Sequence, residues 1–215
     1  MTVRDCPVLY ADETMLVLDK PAGLLSVPGR GDDKQDCLSA RVQAVYPTAL
    51  VVHRLDMATS GLIVMALGVD AQRQLNDAFA ERRVEKRYVA VVQGCMPAQA
   101  GAWGDIDLPI IVDWPNRPRR MIDHATGKPS LTRWRRLPGQ ADGPTTRVEL
   151  APVTGRSHQL RVHLKALGHP IVGDALYGNA DLAEPGQRLL LHASELTLPH
   201  PTSGVLLHFT SPPAF

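Results

Sequence analysis

Glycine and proline together occupy 35 of the 215 positions, 17 and 18 respectively, against an average share of roughly 12%. Both residue types interrupt helices and strands, so the chain is cut into many short pieces, with no internal repeat and no low-complexity tract. The pieces carry their own signals. Residues 8–10 and 15–18, separated by Ala11-Asp12-Glu13-Thr14, predict a short hairpin, with Lys20-Pro21-Ala22-Gly23 as the turn that follows. Residues 36–46 predict a helix that ends before Pro47, because the residue ahead of a proline is pushed away from helical angles. Residues 61–67 form a short, β-branched-rich apolar run, the mark of a strand buried on both faces.

A helix starting at about Asp70, with Asp70 as its N-cap, puts Leu75, Ala78 and Phe79 on one face. Residues 86–92, 131–137, 148–153, 189–198 and 205–209 predict further strands, and the Gly- and Pro-rich stretch 138–146 predicts a surface loop. Ser157 is placed to cap a helix in which Leu160, Leu164 and Leu167 fall at i, i+4 and i+7, stopped by Gly168 and Pro170. That spacing sets His158, Arg161 and Lys165 together on the opposite, polar face. Strands and helices do not alternate regularly, and several strands are joined by loops too short for a crossover helix. The expected fold is therefore α+β, with a mixed, mostly antiparallel central sheet flanked by helices and loops, in a single domain over residues 1–215.

Several classes of protein fall away. With 44% hydrophobic and 21% charged residues the chain reads as a soluble globular protein. The longest apolar run, 62–67, is too short to span a bilayer, and the N-terminus carries Arg4 and Asp5 before Pro7 without the apolar stretch of a signal peptide. Cys6, Cys37 and Cys95 are widely spaced and lack a C-x-x-C pair, which points to reduced thiols in a cytoplasmic protein. Gly127-Lys128 lacks the upstream glycine and the following Ser/Thr of a phosphate loop, and neither G-x-S-x-G nor H-E-x-x-H occurs. His53-Arg54-Leu55-Asp56 has a kinase-like look, but no glycine-rich loop or D-F-G accompanies it.

The segment from His53 to Val64 is odd for structure alone, because it holds a guanidinium and a carboxylate at the edge of a buried strand. A solvated Arg–Asp loop is the ordinary reading of an H-R-x-D tetrapeptide. The longer string, His53-Arg54-Leu55-Asp56-Met57-Ala58-Thr59-Ser60-Gly61-Leu62, resembles the signature of the RluA family of pseudouridine synthases. The resemblance runs along the chain through Lys20-Pro21-x-Gly23, Leu25-Ser26-Val27-Pro28-Gly29-Arg30 and Lys86-Arg87-Tyr88-Val89-Ala90. It continues in Asp113-Trp114-Pro115-Asn116-Arg117-Pro118, Thr126-Gly127-Lys128-Pro129, Gly155-Arg156-Ser157-His158-Gln159-Leu160-Arg161-Val162-His163, Gly173-Asp174-x-x-Tyr177 and Leu191-His192-Ala193.

The resemblance implies an RNA-modifying isomerase in which Asp56 is the catalytic residue. Pseudouridine formation breaks the uridine N1–C1′ bond, turns the base and rejoins C1′ to C5. Asp56 could attack C6, attack C1′ or remove the C2′ proton, and the sequence does not choose among these. Arg161 resembles the arginine that pairs with this aspartate, where the ordinary reading is an exposed helical arginine. Tyr88 resembles the active-site tyrosine that stacks on the flipped base, where the ordinary reading is a strand aromatic. Arg54 matches the loop arginine that fills or braces the space left by the base, or else contacts a phosphate. Further residues expected to face RNA are His53, Arg87, Arg117, Arg119, Arg120, Arg156 and His158.

The D-W-P-N-R-P stretch and the compact length resemble, within that family, the member that modifies both 23S ribosomal RNA and the tRNA anticodon stem-loop. RNA is thus the expected partner of a monomer that has no N-terminal S4-type domain and no membrane contact. No cofactor is implied, because the isomerisation is redox-neutral. His53, His158 and His163 lack neighbours at metal-ligand spacing, so no metal is implied either. A non-catalytic RNA-binding module would not need Asp56, Tyr88 and Arg161 together, and no second carboxylate motif supports a glycosidase.

The formal net charge of +1, from 23 Lys+Arg and 22 Asp+Glu, argues on its own against a nucleic-acid partner. Its distribution argues the other way. Residues 117–136 carry a net +6 and residues 82–88 a net +3, which leaves −8 on the rest of the chain.

Overall fold

Asp12 closes the first hairpin. Its carboxylate accepts the N–H groups of Thr14 (2.7 Å) and Met15 (2.8 Å) and the hydroxyls of Thr14 (2.9 Å) and Tyr10 (2.6 Å). His200 Nε2 adds a contact at 2.7 Å. Burial pushes this carboxyl up, but the bonds from Tyr10, Thr14, Met15 and His200 outweigh it and hold the group well below the usual carboxylate range.

The structure is a computed structural model that describes residues 2–96, 102–138, 143–178 and 187–215. Its strands in chain order are β1 (Thr2–Val3), β2 (Cys6–Ala11), β3 (Met15–Lys20), β4 (Ala49–Val51), β5 (Ser60–Leu67), β6 (Glu85–Gln93) and β7 (Gly104–Asp107). They continue as β8 (Ile110–Val112), β9 (Arg120–Ile122), β10 (Leu131–Arg136), β11 (Thr145–Pro152), β12 (Leu191–Pro199) and β13 (Leu206–Thr210). The α-helices are α1 (Leu38–Gln43), α2 (Val69–Ala80) and α3 (Gln159–Ala166). Two units are distinguished: Met1–Lys86 with His192–Ala214, and Arg87–Leu191 with Phe215.

In the first unit β1, β2, β3 and β5 pair antiparallel in that order, with Met15↔Ala66 through Lys20↔Gly61 as the central register. β4 pairs with the C-terminal half of β5, and β12 meets its N-terminal end in parallel through His192↔Ser60 and Ala193↔Gly61. β13 then pairs antiparallel with β12. Gly61 is indispensable to the parallel contact: its φ is +108°, and a Cβ there would sit 2.3 Å from the Ala193 carbonyl oxygen. β5 is buried almost throughout, as its apolar run predicts. Ala71, Leu75 and Ala78 of α2 pack with Leu62, Val64 and Ala66 of β5 and Leu196 and Leu198 of β12, and Phe79 lies against the same cluster.

The second unit is an antiparallel sheet in the order β6, β11, β10, β7, with β8 and β9 forming a separate two-stranded ribbon. Ile110 of β8, Val162 of α3 and Tyr177 make a small core. The α+β class and the mostly antiparallel mixed sheet agree with the sequence reading. Residues 139–142 of the expected 138–146 loop lie outside the described residues. No helix among the described residues is long and apolar enough to cross a membrane.

The helix starts differ from expectation. α1 is shorter than 36–46, because the Asp36 carboxylate takes the Arg41 guanidinium at 2.7 Å and Cys37 becomes the N-cap. α2 is entered through Gly68 (φ +90°), whose N–H donates to Thr48 O, so Asp70 lies inside the first turn rather than at the cap. There its charge still suits the positive end of the helix dipole. Ser157 does not cap α3. His158, at φ 57°, turns the chain into the helix, and Gln159 Oε1 accepts the Arg156 N–H (3.0 Å) and the Thr154 hydroxyl (2.7 Å).

Candidate active site

The first unit builds the Asp56 loop. β4 leaves the sheet after Val51, where its last pair is Val51↔Met65, so the next N–H along β5, that of Val64, loses its strand partner on this side. His53 supplies the substitute: its Nε2 accepts the Val64 N–H at 3.0 Å, while its ring stacks on Phe79 at 4.7 Å. Burial, aided by the positive charge of Lys86, pushes the imidazole down to about 3 and keeps it neutral. His53, expected among the RNA-facing residues, therefore works inward as an acceptor and brings no charge to a phosphate.

Both chain neighbours of Asp56 are tied to the segment that begins at Lys20. Leu55 donates its N–H to Ser26 Oγ (3.1 Å), and the same hydroxyl donates to the Leu55 carbonyl (2.7 Å). The Met57 carbonyl accepts the Gly23 N–H (2.8 Å) and Lys20 Nζ (3.2 Å). Lys20 is fully buried and also donates to Pro21 O and Leu24 O, each at 2.8 Å. Thr59 N–H closes the loop on Asp56 O at 3.1 Å. Beyond it Ser60 Oγ bonds His192 Nδ1 (2.9 Å), His192 Nε2 reaches Ser211, and Ser211 Oγ donates to Asp19 at 2.6 Å. Asp56 is half-buried and Arg54 exposed. Replacing Lys20 with Met keeps the apolar stem and removes the ammonium from three carbonyls. We expect a loss of roughly 1–3 kcal/mol in urea unfolding.

The second unit holds Tyr88 and Arg161. Tyr88, half-buried on β6, stands opposite Leu150 of β11. Arg161 is buried, which corrects the ordinary picture of an exposed helical arginine: Nε and Nη2 donate to the two oxygens of Asp174 at 2.8 and 2.7 Å. The Asp174 side chain is held by the N–H groups of Leu176 and Tyr177. His158, Arg161 and Lys165 do share one face, but Tyr177 covers it. The Arg161 guanidinium lies 5.1 Å and Lys165 Nζ 5.8 Å from the Tyr177 ring centre, and His158 Nδ1 is 2.7 Å from the Tyr177 hydroxyl. That hydroxyl also accepts the Arg120 N–H at 2.8 Å, tying the β8–β9 ribbon to α3.

The basic clusters are less uniformly free than a count suggests. Arg87, Arg133 and Arg135 gather on the Trp103 ring at 4.8, 5.3 and 4.7 Å. Glu149 pairs with Arg135 at 2.5 Å and Arg87 at 3.7 Å, and Asp105 with Arg133 at 3.5 Å. Burial pushes the Lys86 ammonium down from the usual lysine value. Arg117, Arg119 and Arg156 are exposed, Arg120 is half-buried, and Arg156 Nε reaches the Pro129 carbonyl at 3.4 Å. Sequence reasoning quoted Lys20, Ser26, Asp174 and Tyr177 without a task for them and passed over Glu149 and Trp103. Among the described residues no three His, Cys, Asp or Glu side chains come together as a metal site.

An aspartate presented by a clamped loop and a buried, carboxylate-paired arginine on α3, in an α+β chain with these motifs, agree with one family. The chain belongs to the RNA pseudouridylate synthases, whose family pattern matches residues 14–166. It is an isomerase that forms pseudouridine in RNA, of the RluA type. It is 50% identical over 208 residues to the dual-specificity RNA pseudouridine synthase RluA of Escherichia coli K12, covering 97% of this chain and 93% of that one. The same-named protein of Yersinia pestis is 49% identical over 202 residues, covering 94% and 96%. Among solved structures, human RNA pseudouridylate synthase domain containing 1 matches with a TM-score of 0.79 at 31% identity, over 99% of this chain and 85% of that one. Human RNA pseudouridylate synthase domain containing 4 matches with 0.76 at 25% identity, over 96% and 88%.

Proposed function

We propose that the chain works as one catalytic domain that isomerises uridines in stem-loops of both 23S ribosomal RNA and the tRNA anticodon arm, with Asp56 as the essential carboxylate. The observation that carries the Asp56 assignment is the double anchoring of its neighbours Leu55 and Met57 to the Lys20–Ser26 segment. A loop held at both flanks of one residue presents that residue's side chain in a fixed place. The dual substrate is supported by 45–50% identity, over nearly the whole length, to proteins named for dual specificity.

The target uridine turns out of its stack, at a cost that is smallest in a loop. Exposed Arg54, two residues before Asp56, fills or braces the vacated space. Attack at C6, attack at C1′ and removal of the C2′ proton each need the ionised carboxylate, and Arg161 matches the arginine that pairs with this aspartate in the family it resembles. Asp174 fixes the orientation of Arg161 by engaging Nε and Nη2. Tyr88 stacks on the turned-out base and assists departure of the C5 proton once C1′ has joined C5. No bond order changes outside the uridine, so neither cofactor nor metal is needed. The remaining RNA contacts fall to Arg87, Arg117, Arg119, Arg120, Arg156 and His158, on a cytoplasmic monomer.

Incubation with tRNA and 23S rRNA fragments carrying tritium at uridine C5 tests the substrate assignment. Tritium should leave both RNAs. Release from only one of them, or a deletion strain that keeps every pseudouridine in either RNA, would overturn the dual reading.

A further inference from the structure

The tip of the β8–β9 ribbon leaves an indole in water. Trp114 is 64% exposed, although burying such a ring removes roughly 150–250 Å² from solvent. The turn that carries it is fixed from several sides. Asp113 N–H donates to Arg119 O (3.1 Å), Asn116 N–H to Asp113 O (3.2 Å) and Arg119 N–H to Asn116 O (3.0 Å). The Asn116 side-chain amide spans both oxygens of the Asp113 carboxylate, at 3.1 and 3.0 Å. The Arg117 guanidinium lies 4.7 Å from the Trp114 ring centre. At the base of the turn, Arg120 N–H is bound by the Tyr177 hydroxyl. A held, exposed indole beside a guanidinium is arranged to receive something flat and electron-rich.

We propose that Trp114, with Arg117 stacked on it, is a platform for an unpaired base of the RNA other than the uridine that reacts. The proposal deepens the stem-loop reading above and rests on it for the presence of an unpaired base. An indole stacks on any base, a guanidinium adds cation–π attraction, and a base buried in a duplex offers no face to either. Arg119, whose main chain bonds Asp113 and Asn116, and Arg120, which pairs with Val112 at the base of the turn, add positive charge to the same turn, suited to the phosphates next to such a base. A single ring among arginines gives an anionic, single-stranded polymer more to bind than an apolar protein or lipid surface. The platform reads whether a base is unpaired and leaves its identity unread. Because Tyr177 holds the turn and also lies beneath the Arg161 guanidinium, a base on Trp114 is registered against the helix that carries Arg161.

Binding of a fluorescently labelled stem-loop RNA and of a blunt duplex of equal length to the full chain tests this by anisotropy. Trp114→Ala should weaken the stem-loop by about tenfold, and Trp114→Phe, which keeps a ring, by less than about threefold. Duplex affinity should be the same for all three proteins. The stem-loop should quench part of the tryptophan emission of the parent chain, and that part should be missing in Trp114→Phe. The proposal is overturned if Trp114→Ala binds the stem-loop as the parent does, or loses stem-loop and duplex in equal proportion. If Trp114→Ala melts early by circular dichroism, the quenching comparison with Trp114→Phe decides instead. Repeating the set with a 23S rRNA hairpin, a tRNA anticodon arm and an unrelated stem-loop separates the two readings. Equal binding of all three by the parent would count against dual specificity, while the variant-to-parent ratio on each RNA still decides the platform.

Discussion

Asp56→Asn should fold as the parent does and release tritium from C5-labelled uridine at least about a thousandfold more slowly. The substitution keeps shape and removes only the negative charge, so it isolates the chemistry. Folding should survive because bonds that end on Ser26 Oγ and on the main chain of Leu55 and Met57 hold the loop, and the substitution leaves them in place. Single-turnover tritium release on either RNA, with a thermal melt beside it, checks both halves. An active Asp56→Asn protein would remove Asp56 from the reaction. An unfolded one would show that the carboxylate serves the fold, against the anchoring described above.

Asp174→Ala should be the most destabilising single change in the second unit. The Arg161 and Asp174 side chains are only 6% and 0% exposed, and two guanidinium nitrogens donate to the one carboxylate. Removing one member of a buried ion pair costs about 3–5 kcal/mol, far more than a surface pair is worth. Here the N–H groups of Leu176 and Tyr177 lose their acceptor as well. The companion Arg161→Met/Asp174→Ala double variant should recover part of that loss, because it leaves no buried guanidinium behind. Urea unfolding of the two proteins measures the difference. A loss below about 1 kcal/mol for Asp174→Ala would place the pair among exposed ones.

Much of the sheet was legible because its signals are local. The apolar run of β5, the Asp12 turn and the 3.6-residue spacing of α3 each report on themselves, and the spacing rightly set His158, Arg161 and Lys165 on one face. The helix caps were misread because Asp70 and Ser157 have the right chemistry, yet a glycine turn and a glutamine side chain already close those ends. What covers a face is non-local: nothing near Arg161 in the chain announces Asp174 or Tyr177, 13 and 16 residues further on. The inward bond of His53 was illegible for a related reason. Its sequence neighbours advertise charge, whereas its task is set by the point at which β4 abandons β5. The clamp from Lys20 to Met57 spans 37 residues and ends on a backbone carbonyl, a receptor every residue possesses and no pattern marks.

That clamp also decides which of the two molecules adapts. With Leu55 and Met57 fastened on either side, the backbone at Asp56 has lost its freedom before any RNA arrives. The entropy of ordering the Asp56 loop is met once, when the protein folds, and not again on each encounter with RNA. On the function proposed above, shape change on binding is left to the nucleic acid, and a stem-loop is accepted to the extent that it can be bent to the same rigid template.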